Sequence, residues 1–152
     1  MAYRADMAAV NVLGEPTLAI EVRSKQKTSA AWAGQMRRNL LAHGVVAGAK
    51  FFLLALPDRF YLWKGAGNDL SELPPTYVID PTDLLAPYFA RADVSPGAIG
   101  ERGFELIVGA WLQDLLEKEQ LPDDLKREHP WIVESGLYDA LKGGRVLYEV
   151  AA

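Results

Sequence analysis

Asp6 and Glu21 are the acidic residues whose setting suggests chemistry. Around Glu21 the chain alternates, with Leu18, Ile20 and Val22 between Ala19, Glu21 and Arg23. Side chains two apart on a strand face the same way. Glu21, Arg23 and Lys25 therefore form one polar row, and Leu18, Ile20 and Val22 the opposite, core-facing row. If Gly14-Glu15 closes a two-residue hairpin loop, Leu13 opposes Pro16 and Asp6 opposes Arg23, which sets Asp6 on the face of Glu21. A three-residue loop would turn Asp6 to the other face. Two carboxylates on one open strand face supply the hard oxygen ligands that Mg2+ or Mn2+ takes, and such an ion keeps waters that can attack a phosphate. An adjacent cation would orient that water and stabilise the charge building on the phosphoryl oxygens.

The elements that must position these groups can be read along the chain. Residues 3–12 and 17–24 read as two strands joined by the Gly14-Glu15-Pro16 turn. Thr28 or Ser29 can cap a helix running to about His43, with Trp32, Met36, Leu40 and Leu41 on its buried side and Gly44 at the left-handed C-terminal cap. Phe51 to Leu56 and Phe60 to Trp63 flank the turn residues Pro57-Asp58-Arg59 and form a second hairpin. Residues 65–75 are rich in Gly, Asn, Asp, Ser and Pro and read as a surface loop. Beyond it, residues 81–90 form a short helix and 101–119 a long one with an apolar stripe through Phe104, Ile107, Val108, Trp111, Leu112, Leu115 and Leu116. Another short helix starts at Pro130, and Val146 to Val150 alternates as a late strand or extended tail. The class is α+β: a mixed sheet flanked by helices, with a helical C-terminal part.

Composition narrows the chemistry. At 152 residues the chain has the size of one domain, with a core in residues 1–65 and a mostly helical remainder in 76–152 packed on it. Half its residues are hydrophobic and 24% are charged, the balance of a chain that folds. It has no cysteine, so disulfides, thiolate metal sites and cysteine nucleophiles are excluded, and carboxylates are the expected ligands. No apolar run approaches the roughly 20 residues that span a bilayer, and no signal peptide opens the chain, so a cytoplasmic location is expected. A net charge of −4 does not advertise nucleic-acid binding, yet Arg23, Lys25, Lys27, Arg37 and Arg38 put five cations within sixteen residues, a run that in its bland reading is solvated surface.

Other residues have bland readings. His43 sits near a helix end, where a cation suits the dipole, and His129 lies in a loop before Pro130; neither has a visible set of co-ligands. Tyr61, Trp63, Trp111 and Trp131 could stack on bases, but their positions on apolar stripes point to the core.

The run Tyr3-Arg4-Ala5-Asp6, then a hairpin, then Ala19-Ile20-Glu21-Val22-Arg23, then a helix carrying Gln35, then Phe51 to Trp63, resembles the hairpin, helix, strand order of PD-(D/E)XK nucleases, in particular a small bacterial branch. The resemblance covers about the first sixty-five residues. It implies a restriction-endonuclease-like fold and Mg2+- or Mn2+-dependent hydrolysis of DNA. In it Asp6 is the motif's aspartate, Glu21 its acidic partner and Arg23 stands at its lysine position. The Val22 carbonyl would share the metal with both carboxylates, and Gln35 would stand beside the site on the following helix.

Arg23 is a departure, because arginine stays charged at any working pH and cannot act as a base; Lys25 is the alternative cation. The chain also starts almost at the aspartate, so the family's N-terminal helix is expected from a longer native protein, from a partner segment or from the C-terminal helices here, and the sheet edges left bare suit a homodimer. Two other readings stay open: a catalytically degenerate nuclease-like domain that binds protein or DNA, and an unrelated α+β scaffold.

Overall fold

The computed structural model describes residues 4–43, 49–67, 69 and 71–151. Tyr3 and the expected cap at Gly44 lie outside them. Six strands form one mixed sheet: β1 (Arg4–Val10), β2 (Pro16–Val22), β3 (Phe51–Leu56), β4 (Arg59–Lys64), β5 (Tyr77–Ile79) and β6 (Arg145–Ala151). Their spatial order is β5-β4-β3-β2-β1-β6. Only β2 and β3 pair in parallel, and the connection between them carries helix α1 (Ala30–Ala42). A parallel pair requires such a crossover, whereas the antiparallel pairs β1–β2 and β3–β4 close through short turns. Every residue of β3 is buried, as a continuous apolar run demands of a strand covered on both faces.

The remaining helices are α2 (Thr82–Ala92), α3 (Glu101–Glu117), α4 (Asp123–Glu128), α5 (Trp131–Glu134) and α6 (Leu137–Leu141). α2, α3, α5 and α6 cover one sheet face. There Leu85, Phe89, Phe104, Val108 and Leu112 pack with Met7, Leu18, Ile20, Val22, Phe51 and Leu53. α1 covers the other face, against Ala19, Phe52, Leu54, Tyr61 and Trp63. This is the α+β class expected, with helices in the C-terminal part. No helix among the described residues is long and apolar enough to cross a membrane.

Several local expectations need correction. Ser29 is the cap of α1, its hydroxyl accepting from the Trp32 N–H at 3.1 Å. The helix does not bury Trp32, Met36, Leu40 and Leu41, which are only partly covered; its buried residues are Ala33, Gly34 and Arg37. The reason is the loop after β4, which crosses α1 closely enough that a Cβ on residue 34 would sit 3.0 Å from the Leu73 carbonyl oxygen. Arg37 fastens that loop by donating to the carbonyls of Asp69 and Gly67, at 2.8 and 3.1 Å, beneath the Trp63 ring. Burial pushes the Arg37 guanidinium below its ordinary value, with the Asp69 carboxylate opposing the change.

The late segment at 145–151 is a strand, paired with β1 along its length. β5 and α4 had no signal in the sequence. The expected short helix after Pro130 is two, broken at Gly136, whose φ of +83° ends one and starts the other.

Candidate functional site

The β1–β2 hairpin ends in an acidic cleft, and its register decides which residues meet there. The ladder pairs Ala9 with Leu18, Ala8 with Ala19 and Met7 with Ile20, after a shift between Ala9 and Val10. The loop is longer than a two-residue turn. Asn11 accepts from the N–H groups of Leu13 and Glu15 through its side-chain oxygen, both at 3.0 Å, and Gly14 takes the left-handed conformation between them. Asp6 is therefore not opposite Arg23. The paired ladder ends at Met7–Ile20, and beyond it Asp6 and Glu21 line the same cleft.

Past that last pair, side chains replace the ladder's backbone bonds. The Asp6 N–H donates to Glu21 Oε2 at 2.6 Å, and the Val22 N–H donates to Asp6 Oδ2 at 3.0 Å. Each carboxylate clasps the opposite strand. Glu21 is only 3% exposed. Burial pushes its carboxyl up to about 7; the Asp6 N–H opposes this, the Asp6 carboxylate adds to it and Arg23 opposes it.

Arg23 follows directly on β2 and turns its guanidinium into this group. Nη1 donates to the Val22 carbonyl oxygen at 2.7 Å and to Asp6 Oδ2 at 3.2 Å, while Nη2 stands 3.9 Å from Glu21 Oε1. On its other side Nε stands 3.8 Å from Glu101 Oε1, in the first turn of α3. The three oxygen groups assigned to a shared metal by resemblance thus converge on one cationic group of the chain itself. Among the described residues no cluster of three or more His, Cys, Asp or Glu could hold a metal. The donor set here is instead two carboxylates and a carbonyl. That set fits Mg2+ or Mn2+, which take one or two carboxylates and complete the shell with water and phosphate oxygens.

The cleft has a volume of about 400 Å³ and is closed on its far side by Asn39, Leu40 and His43 of α1. His43 is the C-cap of that helix, and its Nδ1 lies 2.7 Å from the Asn39 carbonyl oxygen. A carbonyl only accepts, so Nδ1 carries the hydrogen and the lone pair of the neutral ring is on Nε2.

Two expected site residues are elsewhere. β2 ends at Val22, so the polar row does not reach Lys25; its ammonium sits 5.7 Å from the centre of the Trp32 ring. Gln35 is exposed and does not line the cleft. Asn39 and His43, one and two turns further along the same helical stripe, do. Sequence reasoning missed Asn39 and Glu101 as neighbours of the pair and read His43 only as a helix-end residue.

Tyr61, Trp63, Trp111 and Trp131 are all buried, which removes them as platforms for bases. His129 is buried as well, bonded through Nε2 to Asp83 at 2.8 Å and through Nδ1 to the Trp131 indole. A larger cavity of about 640 Å³ lies between α2 and α3, away from the carboxylates. Its Asp114 accepts from the Tyr88 hydroxyl and its Arg91 stacks on the Tyr88 ring, so its polar groups are already engaged. The acidic cleft is the better candidate despite being smaller. Set against known proteins, the chain matches no family model, no curated protein and no solved structure.

Proposed function

We propose that this chain is a divalent-metal-dependent phosphodiesterase of the PD-(D/E)XK kind acting on DNA, with Asp6, Glu21 and the Val22 carbonyl as the metal-holding set. The observation that carries the reading is the convergence of those three oxygen groups on a single cation at the mouth of a cleft. A bound Mg2+ or Mn2+ would supply a water of lowered pKa and polarise a phosphoryl oxygen.

The chain's own groups have distinct parts. The reciprocal clasp of Asp6 and Glu21 holds both carboxylates in place before any ligand arrives. Arg23 cannot take a proton and is therefore not the base. His43 lines the cleft with Nδ1 engaged by the Asn39 carbonyl, and its Nε2 would serve as the proton acceptor. Lys25 and Lys27, exposed on the segment that leaves β2, offer sequence-independent contacts to the backbone of the nucleic acid.

The test uses plasmid, linear duplex and single-stranded DNA with Mg2+ and with Mn2+, comparing the native chain with Asp6→Asn. Asparagine keeps an oxygen for the Val22 N–H, so the hairpin stays closed while a charge is lost. Cleavage that requires metal and disappears in the variant is expected; absence of metal-dependent cleavage on all three substrates sinks the proposal.

A second reading is favoured by the short contact of Arg23 to the Val22 carbonyl: the guanidinium permanently replaces the ion and the domain binds DNA without cutting it. That reading predicts DNA binding in the presence of a chelator, unchanged by Asp6→Asn.

A further inference from the structure

Arg23 touches every group proposed to hold the ion, and it does so unevenly. Its contact with the Val22 carbonyl is tight at 2.7 Å, that with Asp6 is ordinary at 3.2 Å, and that with Glu21 is loose at 3.9 Å. A guanidinium bound strongly to a carboxylate presents two parallel N–H groups to its two oxygens, and here neither carboxylate receives that fork. The side chain is also 29% exposed, so water already reaches it. Nη1 donates to both the Val22 oxygen and Asp6 Oδ2, so an Mg2+ or Mn2+ ion held by those same two oxygens would compete with it for the position between them.

A released Arg23 has somewhere to go. Glu101 stands 3.8 Å from Nε on the side away from the cleft, and it belongs to the first turn of α3, where the helix dipole favours a negative charge. Its side chain is 54% exposed and free to follow the guanidinium.

We infer that Arg23 is a tethered cation that competes with the divalent ion for the Asp6–Glu21–Val22 site, and that Glu101 is the seat it takes when the ion enters. This rests on the metal-dependent reading given above. Arg23 then neutralises the buried acidic pair while no ion is bound, and the ion's affinity is set by the difference between two seats for one arginine. The residue at the motif's lysine position is thereby a regulator of metal occupancy.

The experiment is Mn2+ titration of the full chain by calorimetry, without nucleic acid, for the native protein, Arg23→Gln, Glu101→Gln and Arg23→Gln combined with Asp6→Asn. Arg23→Gln is expected to bind Mn2+ about tenfold more tightly than the native chain, and Glu101→Gln about fivefold more weakly, the usual scale of such coupling. Adding Asp6→Asn to Arg23→Gln should abolish the binding. Mn2+ binding that depends on Asp6 but is no tighter in Arg23→Gln overturns the competition and leaves the metal site standing. No Asp6-dependent binding in either the native chain or Arg23→Gln overturns both. Circular dichroism of each variant confirms that the fold is kept, and Arg23→Lys, which retains the charge without the fork, should fall between native and glutamine.

Discussion

Strand β2 has two faces made from the same seven residues, and they have opposite tasks. Toward α3, Leu18, Ile20 and Val22 are essentially dry and meet only apolar side chains. Toward α1, Ala19 is as deeply covered, but Glu21 beside it keeps a carboxyl 3% exposed and raised to about 7. The first face stabilises the fold by burying hydrocarbon. The second spends part of that stability to hold a charge ready at the mouth of a cleft. A buried carboxyl with raised titration is the local cost that the proposed metal site would carry.

The difference can be broken from either side. On the apolar face Phe104→Ala removes a fully buried ring and should cost about 3–5 kcal/mol, read by urea unfolding at neutral pH. On the polar face Glu21→Gln should do the reverse and raise stability, with a ceiling of about 3 kcal/mol at neutral pH, while removing metal binding. The sign follows from proton uptake. The folded state holds the Glu21 proton up to about 7 and the unfolded chain only to 4.5. Native stability therefore falls as pH rises between those values, is free of the penalty below 4.5 and carries it in full above 7. In Glu21→Gln that slope disappears; an unchanged slope would mean that another group causes it.

Smaller effects sharpen the contrast on the side of α1. His43→Ala should slow DNA cleavage about 10²-fold, with Mn2+ affinity unaltered, and added imidazole should restore part of the rate. Lack of rescue would remove His43 as the proton acceptor. Ser29→Ala should cost about 1 kcal/mol through the lost cap of α1, measured by thermal unfolding.

What the sequence disclosed follows from the range of the forces involved. Alternation along β2 and the apolar runs of β3 and β4 are local patterns, so their strands, the cap at Ser29 and the stripe of α3 were legible. That Asp6 and Glu21 meet was legible too, though the loop that brings them together was not. Asn11 builds a longer turn through its own side chain, and the strand absorbs a bulge. β5 has three residues, too few to show a period, and α4 buries none of its own, so neither leaves an apolar signature. Arg37 looked like a surface cation because its partners are backbone carbonyls of a distant loop. Glu101 and Asn39 were beyond reach for the same reason: they approach Arg23 and the cleft only when α1 and α3 pack on opposite faces of the sheet.

A crystal soaked with Mn2+ and measured for anomalous scattering shows whether Asp6, Glu21 and Val22 hold an ion. One peak is expected, bounded by the carboxylates of Asp6 and Glu21 and the Val22 carbonyl, with the Arg23 guanidinium turned to Glu101. Arg23 still bonded to the Val22 carbonyl, and no peak between the carboxylates at saturating Mn2+, would contradict that expectation.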